Sequence, residues 1–173
     1  MRVHLGLGSN LGDRRAMLQA AVDGLAERGV RTVASSATYE TDPVGAVVDQ
    51  PVFLNACVAA ETGADDPEAL LDLVKGVERA LGRTTSGPDY VRHGPRPIDV
   101  DLLLTDGPAY RSERLSVPHA ALLERRFVLI PLLEIDFTLA TPDGVRLSDA
   151  LAALPVTEGV RCAGPPLALP SPS

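Results

Sequence analysis

The sequence predicts an α+β fold: a ferredoxin-like βαββαβ core, an antiparallel sheet with two helices on one face and additional C-terminal helices and a hairpin beyond it. Three observations predict it. Apolar residues follow strand and helix periods in the order strand, helix, strand, strand, helix, strand. Both helical stretches are bracketed by a capping residue and a glycine stop. The 173 residues are 45% hydrophobic, enough for one domain with a sizeable core.

Val3 to Leu7 reads as the first strand, and Gly8-Ser9-Asn10-Leu11-Gly12-Asp13-Arg14 as a tight strand-to-helix turn. No Lys-Ser/Thr follows, so this is not a phosphate-binding loop of the Walker type. Arg14 to Arg28 is a helix: Leu18, Ala21, Val22 and Leu25 repeat at helical spacing, Asn10 or Asp13 can cap it, and Gly29 ends it. Arg31 to Thr41 is rich in Val, Thr, Ser and Tyr and reads as the second strand. Asp42 to Pro51 is a loop, long for a plain hairpin and so a candidate lid.

Val52 to Glu61 is the third strand. Pro67 opens the second helix with Asp66 as cap; Leu70, Leu73, Val74, Val77 and Leu81 form its stripe, and Gly82 stops it. Arg83 to Pro97 is a polar loop, and Ile98 to Leu104 the fourth strand. Beyond it lie an Asp106-Gly107 turn, a short strand near Tyr110, a short helix ending near Arg125 to Phe127, a buried helix Val128 to Ile135 carrying Pro131, and a terminal helix Leu147 to Leu154. We expect one domain over 1–160. From 161 to 173 four prolines among small residues predict a disordered tail.

A net charge of −7 excludes broad binding to nucleic acid or an anionic membrane, though not a local basic pocket. No apolar run is long enough to cross a bilayer, and Met1 to Gly8 does not resemble a signal peptide. Cys57 and Cys162 match no metal spacing, so a reduced cytoplasmic protein is expected, acting as a monomer. Aromatic residues are only 3% of the chain, which makes any aromatic beside a polar motif a candidate stacking surface.

The chemistry concentrates in Arg92-His93-Gly94-Pro95-Arg96-Pro97-Ile98-Asp99-Val100-Asp101-Leu102-Leu103-Leu104. Asp99 and Asp101 share a strand face about 7 Å apart, a separation that lets both reach hard cations. Val100 and Leu102 point into a core. Such a pair is often merely solvated, but charges at the mouth of an interior strand are costly without partners. Arg83, Arg92, His93 and Arg96 make the preceding loop cationic in an acidic chain, which suggests an anionic ligand. Carboxylates for Mg²⁺ beside guanidinium groups for phosphate form a minimal kit for nucleotide chemistry. Phe53 and Asn55 also share a face and suit a flat heterocycle, although spacing alone favours a core contact and a turn cap.

These residues together resemble the 6-hydroxymethyl-dihydropterin pyrophosphokinases of folate biosynthesis. The matching stretches are Gly8 to Arg14, Ser35 to Gly45 with Tyr39, Thr41, Pro43 and Gly45, Asp49-Gln50-Pro51 with Phe53-Leu54-Asn55, and Glu78 with Leu81-Gly82-Arg83. They continue through Arg92, Gly94-Pro95-Arg96, Asp99, Asp101 to Leu104, Arg114 to His119, Arg125 and Phe127. The resemblance implies transfer of pyrophosphate from ATP to the pterin hydroxymethyl group, with release of AMP. It implies that Asp99 and Asp101 hold two Mg²⁺ ions, and that Asn55 and the chain from Thr41 through Pro43 to Val44 read the pterin edge between Phe53 and Phe127. It implies that Arg83, Arg92 and Arg96 contact ATP phosphates, helped by His119 and Arg125, with Glu78, Leu102 and Ser116 near base and ribose and Arg114 also binding ATP. His93 stands where many relatives have Trp, and Asp42 where some have Pro. The alternative is a non-catalytic ferredoxin-like binding module for RNA or a regulatory small molecule; the RNA-binding kind would need sheet-face aromatics and a basic surface that this chain lacks. Another Mg²⁺-dependent transferase with a different acceptor would share the Asp pair but not the need for Phe53 and Asn55.

Overall fold

The computed structural model describes residues 1–43, 49–88, 90–156 and 159–172. Eight strands and four helices follow in the order β1 (Arg2–Ser9), α1 (Arg14–Glu27), β2 (Val30–Ser35), β3 (Thr38–Thr41), β4 (Phe53–Thr62), α2 (Pro67–Ala80), β5 (Asp99–Thr105), β6 (Tyr110–Arg111), β7 (Ser116–Val117), α3 (Arg126–Ile135), α4 (Leu147–Ala153) and β8 (Val160–Gly164). A 3₁₀ turn, Leu122–Glu124, precedes α3.

The main sheet runs β5-β1-β4-β3-β8, with β2 also paired to β4, and every described pairing is antiparallel. This is the predicted ferredoxin-like arrangement with one strand added at the β3 edge. One face, built from Val3, Leu5, Leu7, Val58 and Val100, buries the stripes of α1 and α2. The other, with Cys57 and Leu103, packs on Leu129 and Leu132 of α3 and Leu147 of α4. Period-two alternation therefore sends Val100 and Leu102 into the first core and leaves Asp99, Asp101 and Leu103 facing α3.

The helix signals act as read. Asp13 accepts the Ala16 N–H at 3.1 Å, Asp66 accepts that of Glu68 at 3.1 Å, and Pro67 lies in the first turn of α2. Gly29 and Gly82 follow the two helices at φ +80 and +92, where a Cβ would be strained.

Two expectations are corrected. The strand expected over Arg31 to Thr41 is two strands. The Ser36 hydroxyl takes the Cys57 N–H at 3.0 Å, so a side chain replaces the ladder partner there and the chain turns onto β3. The tail expected to be disordered from residue 161 is instead built into the fold. Val160–Gly164 pairs with β3, and Leu167 is 3% exposed in the α1-side core. Proline-rich composition suggested disorder, but the Pro165 and Pro166 carbonyls accept from the Arg15 guanidinium at 2.8 and 3.0 Å.

Candidate active site

The Asp pair is set by β5 and by what faces it. Asp101 lies opposite Gly6 and Asp99 opposite Gly8 on β1. Two glycines alternating on the neighbouring strand place no side chain beside the carboxylates, so a cleft opens over them. A Cβ on Gly8 would come within 2.7 Å of the Asn55 Oδ1. We read Gly8 from sequence as part of a turn; it lies within β1, and its role is space.

A cavity of about 110 Å³ lies between this face of the sheet and the first turn of α3. Its walls include Thr41, Phe53, Asn55, Arg96, Asp99, Asp101, Arg125 and Phe127. A more open cleft runs along the other side of β5, which is the sheet edge, and is lined by Lys75, Leu102, Arg114, Ser116 and His119. Asp101 lines both. One strand end thus presents a carboxylate to an aromatic, amide-bearing wall on one side and a cationic wall on the other.

Each wall is held by identifiable contacts. Phe53 and Asn55 alternate on β4, and the Asn55 amide donates to the Thr41 hydroxyl at the end of β3. The Arg96 guanidinium stands 4.9 Å over the Phe53 ring, and that of Arg125 stands 5.6 Å over Phe127. Asn10, 2% exposed, ties the loops together: its amide donates to Gln50 Oε1 at 2.9 Å and the Pro51 carbonyl at 3.1 Å, and its Oδ1 accepts the Arg96 N–H at 2.8 Å.

The two carboxylates are electrostatically unlike. Burial raises the Asp99 pKa, but Arg83 at 2.5 Å and Arg96 at 3.4 Å outweigh it and hold the group below the usual carboxylate range. Asp101 is pushed up to about 7, first by burial and then by the charge of Asp99, with Lys75 opposing. The pair fits a hard divalent cation: it offers hard oxygens, and a cation would relieve the repulsion that raises Asp101. Among the described residues no cluster of three or more His, Cys, Asp or Glu side chains could hold a metal. Further ligands would then be water or phosphate oxygens, the ordinary Mg²⁺ arrangement.

On the second wall, the His119 Nδ1 accepts the Ala121 N–H at 3.1 Å, which leaves the imidazole proton on Nε2 as a donor. Burial, then Arg125, lowers its pKa, so it is neutral at pH 7. Arg114 pairs with Glu68 at 3.1 Å and Asp72 at 2.5 Å on α2, and the Ser116 hydroxyl donates to the Pro118 carbonyl at 3.0 Å.

Not every expected residue reaches a cleft. Glu78, expected near base and ribose, is 2% exposed beneath β5 and lines neither cleft. It accepts the Val100 N–H at 2.8 Å and pairs with Arg83 and Lys75, each at 3.1 Å. An α2 carboxylate is drawn under the sheet because those three donors meet there. Arg83, spent on Glu78, Asp99 and the Ile98 carbonyl, lines neither cleft; nor do Pro43 and Arg92, the latter exposed on its loop, and Val44 lies outside the described residues. Gly6, Cys57 and Lys75, given no site role in the sequence, also line a cleft, as does Asp42 of the stretch expected at the pterin edge. Two glycines alternating in a strand opposite an Asp-x-Asp was the available signal; Lys75 carried none.

The family model for 7,8-dihydro-6-hydroxymethylpterin-pyrophosphokinase (HPPK) matches residues 4–137. The chain belongs to this family. It is 47% identical over 154 residues to the 2-amino-4-hydroxy-6-hydroxymethyldihydropteridine pyrophosphokinase of Methylorubrum extorquens, covering 88% of this chain and 93% of that one. It is 45% identical over 133 residues to the enzyme of the same name from Bacillus subtilis, covering 76% of each. Among solved structures, wild-type Plasmodium falciparum HPPK-DHPS superposes with a TM-score of 0.63 at 13% identity over 87% of this chain, which spans 44% of that chain. That likeness shows the shared fold. Residues 4–137 run from β1 through the end of α3, so the HPPK match contains both clefts but stops short of β8.

Proposed function

We propose that this HPPK-family chain transfers pyrophosphate from ATP to 6-hydroxymethyl-7,8-dihydropterin, releasing AMP, with the pterin in the cavity beneath α3 and the nucleotide along the edge of β5. The observation that carries this placement is Asp101, the carboxylate common to both clefts. A reaction joining two substrates needs its charge-neutralising centre where the two sites meet.

Asp99 and Asp101 would hold two Mg²⁺ ions, which when bound neutralise the triphosphate and favour attack at its β-phosphorus. The Asn55 amide and Thr41 fix the pterin edge, and the Phe53 and Phe127 rings cover its faces and exclude water. Arg96 and Arg125, already poised over those rings, are counter-ions for the oxygens lying between the clefts. Arg83 holds Asp99 in position and shields its charge until phosphate arrives. The neutral His119 donates from Nε2 on the nucleotide side, while Lys75 and Arg114 supply positive potential along that cleft. Leu102 and Ser116 form the apolar and polar parts of the base and ribose seat. Arg92, exposed in this state, approaches the phosphates only through movement of its loop.

Both cysteines are free, and among the described residues no helix is long and apolar enough to cross a membrane. We infer a monomer working in the cytoplasm. The test is incubation with ATP, Mg²⁺ and the hydroxymethyl pterin. AMP and pterin diphosphate formed in equal amounts support the proposal; ADP, or nucleotide release independent of pterin, contradicts it.

A further inference from the structure

The segment from Gly159 to Ala168 lies beyond the family match and touches the pterin-side wall. β3 contributes Thr41 and the adjoining Asp42 to that wall, yet it is only four residues long. On its inner side it pairs with β4, Thr41 opposite Phe53. On its outer side Thr41 is opposite Val160 of β8, the Asp42 N–H donates to the Gly159 carbonyl at 3.3 Å, and Arg161 pairs with the Asp42 carboxylate at 3.5 Å. Gly159 allows this approach, because a Cβ there would collide with the Asp42 carboxylate.

The far end of the segment is anchored independently. Leu167 is 3% exposed in the core with α1, and its N–H donates to the Ser35 hydroxyl at 3.2 Å. Gln19 exchanges two hydrogen bonds with the Ala168 backbone, both 2.9 Å, and Arg15 forks onto the Pro165 and Pro166 carbonyls. The segment is therefore a strap fastened to α1 and ending on the cavity wall.

Resting on the reading of that cavity as the pterin site, we propose that residues 159–168 position Thr41 and Asp42 for the pterin, with Arg161 and Leu167 as positioning residues. Without the strap, β3 is a short edge strand held from one side. Its end carries the hydroxyl that orients the Asn55 amide, so looseness there is felt at the acceptor and not at the nucleotide.

The test is steady-state kinetics with each substrate varied in turn. Arg161→Ala, a surface change that leaves the core intact, should raise the pterin KM roughly two- to fivefold, the scale of an exposed ion pair. The ATP KM should stay within about twofold, and Arg161→Lys should behave as the parent. Leu167→Ala should raise the pterin KM further, again selectively. A merely structural role would move both KM values or lower kcat alone. Unchanged pterin KM in both variants, or equal rises for both substrates, overturns the proposal. Failure of the parent enzyme to turn over the pterin would overturn the site assignment itself, a result distinguishable from normal turnover with insensitive variants.

Discussion

Asp101→Asn should make the metal-free protein more stable while abolishing turnover. Asp101 is pushed up to about 7 by burial and by Asp99. The gap from an ordinary carboxyl near 3.8 corresponds to about 4 kcal/mol of unfavourable ionisation. Relaxation and water entry reduce this, leaving about 2 kcal/mol as the working expectation. The pH dependence follows from the direction of the shift. A carboxyl whose pKa rises on folding favours the folded state while protonated; that advantage is complete below pH 4, is lost as pH climbs to about 7, and stays lost above it. Asparagine removes the charge, so the variant should melt about 4–8 °C above the parent at pH 8 in chelator, with the difference vanishing near pH 4. Mg²⁺ with a non-hydrolysable ATP analogue should then raise the parent's melting temperature but not the variant's. Thermal melts at the two pH values, with and without ligand, supply the whole test. A variant no more stable than the parent at pH 8, or one equally stabilised by the Mg²⁺ complex, would refute the reasoning.

Other substitutions probe the remaining parts. Asn55→Ala should weaken pterin binding about tenfold while changing ATP binding far less, since it strands the Thr41 hydroxyl and removes the amide; titration of each ligand separately checks this. Gly8→Ala drives a methyl against Asn55 and should raise the pterin KM with a stability loss of about 1–3 kcal/mol, read by kinetics and urea unfolding. Glu78→Gln should cost about 2 kcal/mol in urea unfolding, because it removes the charge that Arg83 and Lys75 share beneath β5. His4 is 5% exposed, neither ring nitrogen has a partner among the described residues, and burial, then Arg2, lowers its pKa. Its neutral form favours the fold above pH 6.5, and this contribution is lost as pH falls below that value; His4→Phe should flatten the decline in melting temperature between pH 7 and 5.

The Asp pair and the Phe53–Asn55 pair were legible because strand period two is a local rule, and both pairs obey it. The helix ends were equally legible, since Asp66, Pro67, Gly29 and Gly82 act on their immediate neighbours. What escaped reading depends on partners distant in sequence. Asn10 looked like a helix cap, but Gln50, Pro51 and Arg96 converge on it and leave capping to Asp13. Glu78 was expected near base and ribose, and becomes a buried clamp only once Arg83 and the Val100 N–H arrive. Proline-rich composition suggested a disordered tail, yet pairing of β8 with β3, one buried leucine and an arginine fork from α1 dock it.

The most direct measurement is a crystal structure with Mg²⁺, a non-hydrolysable ATP analogue and the hydroxymethyl pterin. Metal density at roughly 2.0–2.1 Å from carboxylate oxygens of both Asp99 and Asp101, with the β-phosphate facing the pterin hydroxyl across Asp101, is the predicted result. Finding Asp99 still paired to Arg83, no metal on Asp101, and the nucleotide away from the β5 edge would contradict the account.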